Sequence, residues 1–445
     1  MSMQIISIVG LVLIVLLATL RSVNMGAIAF LGAFLLGTLV FDVSEDDLFA
    51  GFPGDLFVVL VGVTLLFAIA KGNGTVDWLV HVGVQAVRGR IAFIPWVMFV
   101  VTSVLTTVGA VVPGAVAIMA PIGLSFAARH RINPMLMGLL IINGASAGGF
   151  SPIAVFGVIT NGVVERSGLP GNPGLLWVSS FLFNALLSVA VFFMFGGREL
   201  LSRRADGEEQ ANDTVDQDTE PEPTSGGAPA GRTTVATKTE PDQAVAGLNA
   251  QRIVTLAGLL VLVVGALVFD IDVGLLALSI ATVICVLFPD DCKGSVGEVA
   301  WPTVLLICGV VTYVGIMQTI GTIDMLGESV AGIGVPLLAA FVICLIGGAV
   351  SAFASTTGIL GALIPLAVPF LLGGEIGAVG MIIALAISSS VVDSSPFSTS
   401  GALVVASGGP EVRDRVFRGL MRWGLSMIVV APALAWTIFV LPGWL

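Results

Sequence analysis

Two stretches rich in hydroxyls and helix breakers interrupt apolar sequence: NGASAGGFSPIAVFG at 143–157 and ISSSVVDSSPFSTSG at 387–401. Gly144 to Gly148 fit G-x-S-x-G, the pattern that presents a nucleophilic serine between a strand and a helix. Ser146 would then need a general base. The chain has two histidines: His81 in an amphipathic segment and His130 between Arg129 and Arg131, neither inside an apolar span. No G-x-x-x-x-G-K-[ST] loop is present to cradle a nucleoside triphosphate. The residues therefore argue against an enzyme and against an ATP-driven pump. The other chemistry they can do is ligation. Hydroxyls and unwound carbonyls in mid-span suit a hard cation, and the N-termini of half-helices offer free N–H groups and a positive dipole end to an anion. Ser146, Ser151 and Pro152 in the first stretch, and Ser390, Ser395 and Pro396 in the second, take these positions.

Asp393 is the most informative ionisable residue. A charge at membrane depth costs about 3 kcal/mol on insertion scales, so it is expected to face a partner. It reads as a cation ligand or proton carrier, or else as a helix cap accepting N–H groups near Ser394–Phe397. Its counterpart in the first stretch is Gly149, so two cation sites could not be chemically identical. The serines have a plainer reading as small residues for close helix packing, and Ser394 and Ser398 as hydroxyls bonded back to their own helix. Asn143 either orients the break or binds substrate. No Lys or Arg stands at the centre of either stretch. A dianion there would rest on helix dipoles, hydroxyls and co-bound cations.

What must hold these residues is a membrane protein. Of 445 residues 56% are hydrophobic and 11% charged, against about a quarter charged in soluble domains. Apolar runs near twenty residues recur from end to end. The net charge of −11 is concentrated after Asp206, in a segment too poor in core-forming residues to fold; 201–250 reads as an acidic disordered loop. The four cysteines, Cys285, Cys292, Cys308 and Cys344, show no metal spacing, and no disulfide is expected. No basic patch with interleaved aromatics suggests nucleic acid.

The loop divides two halves that resemble each other. GVTLLFAIAKGNGTVDWL from Gly62 aligns with GVVTYVGIMQTIGTIDML from Gly309 at an offset of 247. Further on the offset is 244, pairing Gly114 with Gly358, Pro121 with Pro365, Ser146 with Ser390, Ser151 with Ser395, Pro152 with Pro396 and Gly157 with Gly401. The first repeat, 1–200, is read as scaffold helices in 1–71, an interfacial helix at 75–90, a hairpin at 91–128, a broken helix at 134–160 and a helix at 174–196. The second, 251–445, runs as scaffold helices in 252–318, an interfacial helix at 320–333, a hairpin at 335–372, a broken helix at 376–406 and a helix at 423–441. The fold class is thus an all-α polytopic membrane protein of two inverted-topology repeats, with about 10 transmembrane helices, two re-entrant hairpins and two broken helices at the midplane. Lys and Arg favour the cytoplasm. Lys71, Arg129, Arg131, Arg198, Lys293 and Arg413 fall on one side, and Asp42, Glu45, Asp46, Asp47 and Asp55 on the other. That places both termini outside and the acidic loop in the cytoplasm of a prokaryotic-type plasma (inner) membrane.

These features resemble the ion transporter superfamily, in particular the divalent anion/sodium symporters and the MatC-type malonate/dicarboxylate carriers. The resemblance covers nearly the whole chain. It implies a homodimer with a scaffold part and a moving elevator part, and sodium-coupled uptake of a small dicarboxylate. Sodium would serve as coupling ion, with no other cofactor. In the symporters each hairpin tip carries Ser-Asn-Thr, which binds sodium and a substrate carboxylate. Ser355-Thr356-Thr357 in SAFASTTGILGALIP matches its Ser and final Thr, and Val111-Val112-Pro113 does not match. The resemblance then implies substrate at Ser146, Ser151, Pro152, Ser355, Thr356, Thr357, Ser395 and Pro396. It implies sodium at Thr107, Gly109 and Gly148 in one half and at Ser351, Ser355, Thr356, Ser390 and Asp393 in the other. GASAGGFSPIAVFG is closer to the MatC-type carriers, which favours malonate or a C4-dicarboxylate. A cation/proton antiporter using Asp393, an anion channel and an intramembrane hydrolase are the rival readings.

Overall fold

The computed structural model describes residues 3–21, 23–85, 91–201, 248–269, 271–290, 292–322, 325, 335–352, 356–372 and 376–443. Outside the described residues lie 202–247 of the acidic loop, 86–90 of the first interfacial segment, most of the 320–333 segment and the tip 353–355, with the expected ligand Ser355. Among the described residues every regular element is a helix.

In the first half these are α1 (Met3–Arg21), α2 (Met25–Leu39), α3 (Glu45–Ala50), α4 (Gly54–Gly72), α5 (Thr75–Gln85), α6 (Ile94–Thr107), α7 (Val112–Arg129), α8 (Pro134–Gly149), α9 (Val155–Arg166), α10 (Pro173–Met194) and α11 (Gly197–Leu201). In the second they are α12 (Ala250–Val268), α13 (Val273–Leu287), α14 (Trp301–Thr319), α15 (Pro336–Ser351), α16 (Thr356–Leu372), α17 (Ala378–Val391), α18 (Thr399–Ser407) and α19 (Pro410–Ala435). Among the described residues six stretches are long and apolar enough to cross a membrane: Gly54–Gly72, Val112–Arg129, Pro173–Met194, Trp301–Thr319, Ala378–Ser407 and Val412–Val440. Starts follow local chemistry. Asn24 accepts the N–H groups of Gly26 and Ala27 to open α2. Ser44 accepts that of Asp47 to open α3, whose first turn carries Glu45, Asp46 and Asp47, acids that suit the positive end of a helix.

Helix contacts come in pairs that exchange under the sequence register. α4 packs on α13 and α14 on α2; α6 on α8 and α15 on α17; α7 on α18 and α16 on α9; α10 on α17 and α19 on α8. Small residues allow the first pair to close. A Cβ at Gly309 would lie 2.0 Å from the Gly26 carbonyl oxygen, and one at Gly62 2.8 Å from that of Gly274. Each half therefore completes the packing of the other, and both serine-rich stretches end up in the buried interior.

Two expectations are corrected. Cys285 and Cys292 form a disulfide, with Cα atoms 5.4 Å apart. Cys285, in an apolar span, reads as a small hydrophobe, but α13 ends at Leu287 and a turn with the Lys293 N–H on the Asp290 carbonyl brings Cys292 back to that end. Cys308 and Cys344 are buried thiols. The last long helix begins at Pro410 and not at 423. Its first turns carry Arg413, Asp414, Arg415 and Arg418, which a reading by apolarity skips although the backbone is already helical.

Candidate functional site

The first break spans residues 150–154, between α8 and α9. Pro152 lacks the N–H that a continuous helix needs. Ser151 arranges the chain that results. Its N–H donates to the Gly148 carbonyl at 3.0 Å, its own carbonyl accepts the Ala154 N–H at 2.9 Å, and its hydroxyl oxygen accepts the Ile153 N–H at 3.4 Å. The second break, between α17 and α18, repeats this bond for bond. Ser395 donates to Val392 at 2.9 Å, accepts from Ser398 at 3.1 Å, and takes the Phe397 N–H on its hydroxyl at 3.2 Å. Gly157 and Gly401 fit the turn alike, since a Cβ on either would sit 1.9 Å from the carbonyl oxygen of Ser151 or Ser395.

Each interrupted helix meets the ends of a helix pair. In the first half α6 and α7 are joined by residues 108–111. The Ser151 hydroxyl donates to the Thr107 carbonyl at 3.2 Å, and a Cβ on Gly148 would lie 2.1 Å from the Ser103 carbonyl oxygen, 2.3 Å from Thr106 Oγ1 and 2.7 Å from Thr107 Oγ1. Thr107, Gly148 and Ser151 are thus together. Gly109 is apart from them: it takes φ 113°, closes α6 by donating to Thr106, and faces Val63 of α4. In the second half the Ser351 hydroxyl donates to the Ser389 carbonyl at 2.7 Å and lies 3.0 Å from Thr356 Oγ1, which reaches the same carbonyl at 3.5 Å. Ser351, Thr356 and Ser389 form a second cluster, which shares with the first only the Thr107–Ser351 pair of the register.

Asp393 lies in the short 3-10 turn Val392–Ser394, and its carboxylate accepts from the Ser400 hydroxyl. The carboxylate thus acts as a cap, but not at the expected N–H groups near Ser394–Phe397: it takes the hydroxyl and the backbone N–H of Ser400, in the first turn of α18. Ser394 bonds back to the Val391 carbonyl at 2.7 Å. Ser398 donates to the Asp393 and Ser395 carbonyls and caps α18 at the Gly401 N–H. Ala154, at the matching place, has no side chain to cap α9, and Val111 leaves α7 uncapped likewise.

Other candidate residues are not gathered by contacts. The Ser390 hydroxyl turns back to Ile387 at 3.3 Å. Ser146 is buried, and its hydroxyl has no hydrogen-bond partner among the described residues. Thr357 and Pro396 are buried and Pro152 half-buried. Asn143 donates to Ser188 of α10 at 3.1 Å, so it orients α8. Ser146, Ser151, Ser351, Thr356, Ser390, Asp393 and Ser395 are each no more than 3% exposed. The clusters are closed to solvent in this conformation. Ser389 and Ser400 were missed in the sequence. Ser389 pairs with Ala145 in the register, so the repeat pointed to its neighbour Ser390; its hydroxyl, like that of Ser146, is buried without a partner. Among the described residues no group of His, Cys, Asp or Glu could hold a metal ion; the ligands on offer are hydroxyls, carbonyls and one carboxylate, the set suited to a hard monovalent cation.

No curated protein matches the chain. Residues 1–149 match the family model for the N-terminus of the dicarboxylate carrier protein MatC. The match runs through α1–α8 and stops at the last residue before the first break. Over that first third the chain is similar to the N-terminal part of a carrier family.

Proposed function

We propose that the chain is a secondary active transporter that carries a small dicarboxylate, malonate or a C4 acid, into the cell together with sodium. The observation that carries this reading is the matched pair of breaks. Two buried helices are interrupted at equivalent positions with the same serine-centred hydrogen bonds, and each packs against the ends of a helix pair. Interrupted helices at corresponding places in two halves are the mark of a transporter's central site. Unwound backbone at membrane depth is tolerated where it is buried in protein or lines a cavity. The similarity of residues 1–149 to a dicarboxylate carrier supplies the substrate class.

In this reading the two halves are inverted repeats, and α6–α7 and α15–α16 are re-entrant hairpins. Sodium is held at Thr107–Gly148 in one half and at Ser351–Thr356–Ser389, with Asp393 nearby in sequence, in the other. The substrate carboxylates face the uncapped starts of α7 and α9 and the hydroxyls of Ser151, Thr357 and Ser395. No Lys, Arg or His occurs in 134–165 or 376–412, so co-bound sodium supplies the positive charge. Hairpins and broken helices then move as one body against α1–α4 and α12–α14, in a homodimer of the inner membrane.

The experiment is uptake of labelled malonate into proteoliposomes with and without an inward sodium gradient at clamped pH, with succinate, malate and citrate as cold competitors. Sodium-dependent uptake blocked by one short dicarboxylate is the expected result. A second reading, cation/proton antiport, is favoured by the buried carboxylate of Asp393. It takes over if no acid enters and a sodium gradient drives protons alone.

A further inference from the structure

Two clefts lie at the far ends of the helix pairs that start at the breaks. α7 and α18 pack together. α18 begins at the second break, and the far ends of the two helices open into a cleft of about 880 Å³ running from Pro121 to Ser407–Gly409. Pro121 is eight residues inside α7, so the cleft reaches about 12 Å along that helix. α9 and α16 pack likewise, and the far end of α9 together with Pro365 of α16 lines a cleft of about 330 Å³. The clefts correspond under the 244-residue register, Pro121 with Pro365 and Ser407 with Val163. α8 leads from the larger cleft to the first break, and α9 leads from that break to the smaller one.

Their charges differ. The smaller cleft is lined by Asp47 and Arg166, and Arg166 is engaged by Asp55, Nε to Oδ2 3.2 Å. The larger is lined by Arg131 and Arg415 against Glu199. Two helices also begin there: α8, behind Asn133, and α19, whose first turn has no side-chain cap. Arg131 holds a left-handed backbone, φ 51°, a conformation that non-glycine residues adopt at some cost. Two cations thus stand against one acid at a wide opening, with the start of α8, capped by Asn133, and the start of α19 beside them.

Resting on the carrier reading, we propose that the larger cleft is a second, low-affinity carboxylate site on the substrate's path, with Arg131 and Arg415 as its anion ligands. It collects the small dicarboxylate at the mouth of the α7–α18 interface. The same guanidinium chemistry could hold an anionic lipid headgroup; the depth of the cleft between helices favours the free acid.

Two measurements test it. In oriented proteoliposomes of neutral phosphatidylcholine, Arg131→Gln and Arg415→Gln raise the KM for dicarboxylate offered on this side by about threefold or more at low ionic strength. Maximal rate is retained, and the difference fades at high salt as screening predicts. KM from the other side stays as in the wild type. A KM that does not move, that moves equally from both sides, or that moves only in vesicles containing anionic lipid overturns the proposal. The second measurement does not depend on transport. Ser407→Cys is labelled with an impermeant maleimide, against a background kept silent by the Cys285–Cys292 disulfide and the burial of Cys308 and Cys344. Succinate slows the labelling, and Arg131→Gln in the same chain abolishes that protection. Labelling indifferent to succinate overturns the cleft assignment even where uptake succeeds. Protection without any dicarboxylate uptake overturns the carrier reading and leaves the cleft standing.

Discussion

Asp393 stands where the first half has Gly149, and among the differences between the two breaks it is the one that adds a charge. Its carboxylate takes the Ser400 hydroxyl, a role that an amide oxygen can also fill. Asp393→Asn therefore keeps the shape and the bond and removes the charge. A sodium activation curve should shift to at least about tenfold higher concentration, or about 1.4 kcal/mol, with the melting temperature nearly unchanged. An unmoved curve would reduce Asp393 to a tie between the 3-10 turn and α18. Two glycines give a sharper contrast. Gly148→Ala drives a methyl into the Ser103 carbonyl and the Thr106 and Thr107 hydroxyls, and overpacking of this kind costs about 1–3 kcal/mol. Gly114→Ala, in α7 with nothing within 4 Å of the new carbon, should be neutral or gain about 0.5 kcal/mol from helix propensity. Thermal melting in detergent separates the two.

The breaks were legible as elements because prolines, glycines and hydroxyls in an apolar run are conspicuous, and because the same set recurs after 244 residues. What those hydroxyls touch was not legible. In a helix three successive serines point in three directions, and only the packing of α15 on α17 selects the Ser389 carbonyl as the acceptor for Ser351. The Ser400–Asp393 bond crosses the second break, so its distance depends on how sharply the chain turns there. Charge likewise hid the first turns of α19, whose arginines look like loop to a reading by apolarity. The break geometry itself makes a prediction. Gly157 and Gly401 each lie under the carbonyl of the serine that opens the turn, so Gly157→Ala and Gly401→Ala must both displace that carbonyl. Transport should fall by similar factors, about tenfold or more, the loss expected when a site shifts by an ångström. Strong loss in one variant with none in the other would show that only one break binds substrate.

At the scale of the molecule, the interlocking of α2 with α14 and α4 with α13 puts chemically alike ends together. Lys71 pairs with Glu298 at 3.4 Å, Asn73 bonds Thr255 of α12 at 2.7 Å, and Asn24 bonds the Pro302 carbonyl at 2.8 Å. At the other end the Ser7 hydroxyl meets Thr322 at 2.8 Å, and Asp55 meets Arg166. On the positive-inside rule the basic excess would put the Lys71 end in the cytoplasm. The Cys285–Cys292 bond lies at that same end, beside Lys293, and cytoplasmic thiols are kept reduced. If the basic excess decides the orientation, the two cysteines are free in the cell and join only after extraction. Alkylation in intact cells with a permeant maleimide should then modify both, while an impermeant one modifies neither, and the purified protein should carry the bond. Closing so short a loop stabilises by about 2 kcal/mol on chain-entropy grounds, so adding a reductant should lower the melting temperature of the purified protein. A bond already complete in cells, reducible from outside by an impermeant phosphine, would reverse the orientation and place the Arg131–Arg415 cleft on the outer face.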